Sequence, residues 1–184
     1  MTLILETERL SLREWEAGDA EALFAFTSDA ETMRFIGDTR PWETVERARA
    51  WLVRVGASYA ERGYGPWAVV ERATGRVVGS CGFSLLPTLG ELDFGYVFAR
   101  DSWGRGYATE AAAAALSYGF ERLGFEEVTA NTVAEHHASR HVLEKIGFEY
   151  RGPRRYPDDD EPSAFYVATN PATRRDARPA EPSS

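Results

Sequence analysis

The chain has 184 residues, enough for one domain that removes about 70% of its unfolded surface from water. Its formal net charge of -8 and isoelectric point near 5.0 argue against nucleic-acid binding and favour neutral or basic partners. No apolar run approaches the ~20 residues of a membrane span, and Met1 to Leu10 lacks a basic stretch followed by an apolar one, so a cytoplasmic protein is expected.

The elements follow in order. Leu3 to Arg13 contains Leu10-Ser11-Leu12-Arg13, which alternates as a strand does. Asp19 is placed to cap a helix whose Ala22, Leu23 and Phe26 share a face, with Ser28-Asp29 beyond it. Thr44 to Glu61 carries Val45, Ala48, Trp51, Leu52 and Val55 at helical spacing, and Gly63-Tyr64-Gly65-Pro66 stops it. Trp67 to Glu71, Val77 to Leu85 and Leu89 to Phe98 read as three strands whose short links require antiparallel pairing. Cys81 lies among Val77, Val78 and Phe83 and reads as a small buried apolar side chain rather than a nucleophile.

An alanine-rich helix follows, with Leu116, Phe120 and Leu123 on one face and Gly124 placed to end it in a left-handed cap. Val128 to Val133 is a strand, Ala138 to Ile146 a short helix stopped by Gly147, and Phe148 to Tyr156 with Ala164 to Thr169 a terminal hairpin around Pro157 to Glu161. The order βααβββαβαββ predicts an α+β fold. Its mixed, mostly antiparallel sheet has about seven strands flanked by four helices, in one domain over residues 1–169. Asn170 to Ser184, with Pro171, Pro179 and Pro182 and no apolar period, reads as a disordered tail.

Trp103-Gly104-Arg105-Gly106-Tyr107-Ala108-Thr109-Glu110 joins a strand to a helix. Two glycines let the backbone curl closely around a ligand, and the unpaired N–H groups that open a helix converge where a phosphate can bind. A P-loop needs Lys-Ser or Lys-Thr after the second glycine, whereas Tyr107-Ala108 follows Gly106. A dinucleotide fingerprint needs glycine at Thr109 and an N-terminal βαβ unit, and has neither. A tight structural turn is the remaining alternative.

Several short motifs accompany the loop: Thr7-Glu8-Arg9-Leu10-x-Leu12-Arg13, Asp19-Ala20-Glu21, Trp67-Ala68-Val69, Gly95-Tyr96, and Ser139-x-x-Val142-x-Glu144-Lys145-x-Gly147-Phe148. With the loop, and in this order over residues 3 to 169, they resemble the RimJ/RimL-type branch of the GNAT acyltransferases. The resemblance implies acetyl-CoA as cosubstrate, held where two parallel strands, Leu92 to Phe98 and Val128 to Val133, splay apart. It implies a bulge in the first of these strands, with backbone groups of Val97, Phe98 and Ala99 pairing with the pantetheine arm. The pyrophosphate would rest on the N–H groups of Gly104, Arg105, Gly106, Tyr107, Ala108 and Thr109, with added charge from the Arg105 side chain. His136 stands where the family usually has an asparagine that bonds the pantetheine.

The same resemblance places Ser139 opposite the thioester sulfur. A hydroxyl is a far weaker acid than a thiol near pKa ~8.5, so hydrogen bonding to the departing sulfur is the role assigned, with a helix N-cap as the alternative. A free N–H near Val97 or Phe98 is the expected oxyanion donor. Asp93 occupies a slot where the family often has glutamate, and Glu91 shares its strand face, which makes both candidates for the base. At pH 7, freeing a lysine of its proton costs about 4.6 kcal/mol, but an α-amino group costs only about 1 to 1.4 kcal/mol. The implied acceptor is therefore a primary amine, either a protein N-terminus such as a ribosomal protein's or a small molecule, and the transfer is direct within a ternary complex. A silent acyl-CoA-binding module and a protein-interaction domain are the alternatives. His137 and His141 lack the glutamate and third ligand of a zinc site, and no metal is expected. Phe35, Trp42 and Tyr64 are candidates to line the acceptor entrance, and Asp158 to Glu161 to attract a cationic acceptor. A homodimer is the preferred assembly.

Overall fold

The structure is a computed structural model that describes residues 2–36, 40–86, 89–156 and 161–176. Eight strands form one sheet: β1 (Leu3–Glu6), β2 (Leu10–Arg13), β3 (Pro66–Glu71), β4 (Arg76–Leu86), β5 (Glu91–Phe98), β6 (Glu127–Thr132), β7 (Glu149–Arg154) and β8 (Ser163–Thr169). Their spatial order is β1-β2-β3-β4-β5-β6-β8-β7, and the only parallel neighbours among the described residues are β5 and β6. The helices are α1 (Ala20–Thr27), α2 (Ala30–Met33), α3 (Val45–Arg62), α4 (Tyr107–Glu121), α5 (His137–Lys145) and α6 (Pro171–Asp176).

The sheet separates two apolar clusters because its central strands alternate between them. On β3, Trp67 and Val69 face a cluster with Phe83, Phe94, Tyr107, Ala111, Ala115, Leu116 and Leu143, under α4 and α5. Ala68 faces the opposite cluster, where Leu23 and Phe26 of α1 meet Ala48, Leu52 and Val55 of α3. The alanine face of α4 brings that helix close to the sheet. A Cβ at Gly119 would sit 2.5 Å from the Phe83 ring, so this helix position tolerates only glycine at the observed spacing. Cys81 is fully buried, and burial pushes its thiol up. Among the described residues no helix is long and apolar enough to cross a membrane.

The α+β class, the central meander and the β5-α4-β6-α5 succession match the expectation. The single N-terminal strand does not, because Leu3 to Arg13 folds back into β1 and β2. Thr7 makes the turn by donating its N–H to the Leu10 carbonyl at 2.8 Å, while the Leu10 N–H donates to Thr7 Oγ1 at 3.0 Å. Asp19 stands at the N-cap of α1, but its side chain bonds no N–H of that helix. Its carboxylate meets Arg13 at 2.7 Å and accepts the Glu16 N–H at 2.8 Å. Asp29 instead caps the unforeseen α2, accepting the Thr32 N–H at 2.7 Å. The segment expected to be a disordered tail opens with α6, and Asn170 before it donates to the carbonyls of Phe120 and Phe125. Residues 177–184, and Pro157 to Asp160 of the acidic run, lie outside the described residues.

Candidate active site

The site is built on the edge of β5. The Ala99 N–H donates to the Val78 carbonyl at 2.9 Å, which continues the antiparallel ladder and sets its phase. Odd-numbered residues of β5 therefore hydrogen-bond to β4, and even-numbered ones turn their backbone groups toward β6. Thr129 Oγ1 donates to the Leu92 carbonyl at 3.1 Å from that side, in agreement. Yet β6 pairs with β5 only at Asp93 and Thr129. Beyond that bridge no described residue of β5 pairs with β6, so the backbone groups of Tyr96 and the Phe98 N–H turn toward an unpaired edge.

A cleft of about 1040 Å³ opens at this divergence. Alternation along β5 gives it two chemically different sides. Asp93, Gly95 and Val97 line it together with Arg54, Val55 and Ser58 of α3, while Ser139 lines it from α5. Gly95 has no atom within 4 Å of an added Cβ, so it keeps the floor open between the flanking side chains.

Asp93 is the only carboxylate of β5 that lines the cleft. Burial pushes its carboxyl up to about 7, and the nearby Glu91 charge adds to the shift, against the Asn131 side-chain amide, which donates to Asp93 Oδ1 at 3.0 Å. A carboxylate with that affinity for protons is matched to proton abstraction near neutral pH. Glu91 is differently placed. Arg154 of β7 holds it through two hydrogen bonds of 2.9 Å while resting on the rings of Phe165 and Tyr156.

Across the strand, the Tyr96 hydroxyl lies 3.0 Å from Ser139 Oγ and also donates to the Ser139 carbonyl at 3.0 Å. Burial raises the phenol's pKa, so it stays protonated, and its single O–H can serve an atom bound in the cleft by turning away from the Ser139 carbonyl. Ser139 is the third residue of α5, which is preceded by His136, so it is not the N-cap. The His136 ring stacks on Phe35 with centroids 4.3 Å apart and planes 17° from parallel. Burial lowers its pKa, and the neutral imidazole retains one donor and one acceptor.

The glycine loop enters α4 through two left-handed residues, Gly104 (φ 72) and Gly106 (φ 77). It is braced from the turn before β2 and from β3. The Arg9 guanidinium contacts Glu110 at 2.6 Å, donates to the Arg105 carbonyl at 2.8 Å and lies over the Tyr107 ring. Arg105 covers the other part of that ring and meets Glu71 at 2.6 Å. The buried Tyr107 hydroxyl donates to Glu71, as does Thr74. Hydrogen bonds from Tyr107 and Thr74, with the Arg105 charge, hold the Glu71 carboxyl down at about 2. Tyr107 is therefore a core residue, and the Arg105 side chain is engaged beneath the loop. Backbone N–H groups at the opening of α4 are then the donors the loop presents.

Residues 9–149 match the acetyltransferase (GNAT) domain family. The chain belongs to the GNAT acetyltransferases. This acetyltransferase is 34% identical to the uncharacterized N-acetyltransferase YoaA of Bacillus subtilis over 150 residues, which cover 81% of the chain and 84% of that relative. A GNAT-family acetyltransferase of Bacillus anthracis superposes with a TM-score of 0.77 at 28% identity, over 92% of this chain and 99% of that one. RimL, a ribosomal L7/L12 α-N-protein acetyltransferase solved with coenzyme A, has the same fold: TM-score 0.77 at 16% identity, over 91% and 97% of the two chains.

The acetyltransferase brings Asp93, Val97, His136 and Ser139 to one cleft and leaves Glu91 outside its lining. The expected bulge in β5 is absent, since its register with β4 is unbroken from Glu91 to Phe98. Val97 thereby pairs with Ser80 of β4, the Ala99 carbonyl accepts the Ser102 N–H, and the Phe98 carbonyl accepts the Trp103 indole N–H at 2.8 Å. Only the Phe98 N–H of the three expected backbone positions faces the opening. Trp42 packs against Trp51 and Tyr64 against Phe125, while Phe35 lines the cleft. Tyr96 and Asn131 join the expected residues in the cleft; the period of two that puts Tyr96 opposite Asp93 is the signal the sequence holds for the first, and it holds none for the second. Among the described residues no cluster of His, Cys, Asp or Glu is arranged to hold a metal.

Proposed function

We propose that the chain transfers the acetyl group of acetyl-CoA directly to an α-amino group within a ternary complex. The observation that carries this is the placement of Asp93 on one side of β5 and the Tyr96–Ser139 hydroxyl pair on the other, at the point where β5 and β6 part. The pantetheine arm would lie along the unpaired even-numbered edge of β5, with the pyrophosphate on the N–H groups of Gly104 to Thr109. Asp93 takes a proton from the ammonium, directly or through a water. The amine nitrogen attacks the thioester carbon as its oxygen becomes an oxyanion, for which the Phe98 N–H is the donor. The C–S bond then breaks, and the Ser139 hydroxyl, with the Tyr96 hydroxyl turned from the Ser139 carbonyl, donates a hydrogen bond to the departing thiolate, which takes up the proton released from nitrogen.

The base suits an α-amine better than a lysine. A carboxyl at about 7 faces a gap of only about one unit to an α-amino group near 8 and more than three to a lysine near 10.4. A protein N-terminus, as for RimL, meets that condition; the amino group of a free amino acid, held beside its own carboxylate, is more basic and meets it less well. An acetyl-CoA thermal shift followed by thiol release across amines of known pKa tests this. The expected result is a raised melting temperature and release with α-amines; a shift without release from any amine contradicts transfer.

A further inference from the structure

The charged side chains lining the cleft, among the described residues, are Arg54, Arg62, Asp93 and Glu161. The two arginines come from α3 at positions 54 and 62, with Ser58 midway, so the three fall on one stripe of the helix. Their arrangement is unusual for so acidic a chain, which carries 29 acidic against 21 basic residues. Most arginines near this site have a partner: Arg49 of the same helix meets Glu21 at 2.8 Å, and Arg154 meets Glu91 at 2.9 Å. Arg54 has none among the described residues. Arg62 makes only long contacts, 3.4 Å to Glu61 and 3.4 Å to Ser58 Oγ. The Ser58 hydroxyl donates to the Tyr64 carbonyl at 2.9 Å, which leaves the two guanidinium groups as the stripe's anion donors.

Asp93 points into the same side of the cleft as this stripe, since Asp93, Gly95 and Val97 share a face of β5. The acceptor space therefore has a base at its floor and two cations on one wall. We propose that the acceptor is an amine that also carries a carboxylate, bound with its amino group at Asp93 and its carboxylate against Arg54 and Arg62. The inference rests on the transfer reading above and narrows it, since polycationic amines are disfavoured on this wall. A free amino acid and an acidic peptide N-terminus both supply the required chemistry.

Thiol release at saturating acetyl-CoA tests it with four acceptors: alanine, alanylglutamate, the diamide of alanylglutamate, and spermidine. Alanylglutamate is expected to exceed its diamide in kcat/KM by about tenfold, equivalent to about 1.4 kcal/mol, with spermidine poorest. Activity on alanine as well assigns a free amino acid; activity on the dipeptide alone assigns a peptide. The Arg54→Gln, Arg62→Gln double variant is expected to bring the ratio of dipeptide to diamide close to one. Arg49→Gln, which removes the same charge from the outer part of α3, leaves that ratio unchanged. Added salt raises KM for the dipeptide in the unaltered protein and not for the diamide, a readout independent of any variant. Release that ignores acceptor charge overturns this inference alone, and release that favours spermidine overturns it together with the preference for an α-amine. Failure of all four acceptors to release thiol overturns the transfer reading together with it.

Discussion

Asp93 combines partial burial, one amide donor and a neighbouring carboxylate, and its elevated pKa carries a cost in stability. Its folded-state pKa of about 7 lies above the ordinary value of 3.8, so between these limits the folded protein holds a proton that the unfolded chain has released. Stability from this group is complete below about pH 4 and declines as pH rises toward about 7. Asp93→Asn is therefore expected to raise the melting temperature above pH 7 and to flatten its dependence on pH between 4 and 7, as scanning calorimetry would show. On the other side of β5, Tyr96→Phe and Ser139→Ala each remove one hydroxyl of a pair 3.0 Å apart. Each is expected to lower kcat by roughly tenfold or more with little change in melting temperature, and the double variant to lose less than the product of the two. Equal losses of turnover and stability would make the pair structural.

At the scale of elements, the loop before α4 explains why a motif near the N-terminus accompanies it. Thr7 and Arg9 stand about a hundred residues away, yet the Glu110 carboxylate accepts from the Thr7 hydroxyl, the Arg9 N–H and the Arg9 guanidinium. Arg9→Ala removes that brace and the ring contact with Tyr107, and is expected to raise KM for acetyl-CoA several-fold while costing roughly 1 kcal/mol of stability, a moderate loss because Arg9 is half exposed. Glu71 supports the same loop from β3. Its depressed pKa means that its contribution is complete above about 4.5 and is lost as pH falls toward about 2. Glu71→Gln is accordingly expected to lower the melting temperature at pH 7 and to weaken its decline over that acid range. The glycines and the helix start were legible in the sequence because they follow local backbone rules. The anchoring of Arg105 and Tyr107 was not, since it depends on strands that meet only in the folded sheet.

Across the whole molecule, alternation and helical spacing were sufficient for the α+β class and for the central meander. Leu3 to Arg13 misled because a turn made by Thr7, without glycine or proline, leaves the apolar alternation of Leu10 and Leu12 intact. Asp19 takes the expected N-cap position, but Arg13, six residues before it, holds the carboxylate that would have bonded the helix terminus. Position 93 and position 139 were legible as chemistry, but the separation of β5 from β6 after a single bridge is what joins them, and that is a property of the sheet. The central claim is that this divergence holds a base and a leaving-group donor on opposite sides of one strand. The pH dependence of kcat/KM for acetyl-CoA-dependent thiol release, measured for the unaltered protein and for Asp93→Asn, tests it most directly. An ascending limb with an apparent pKa near 7 is expected in the first and its disappearance in the second, with activity down by roughly a hundredfold. Superimposable profiles of similar height would contradict it.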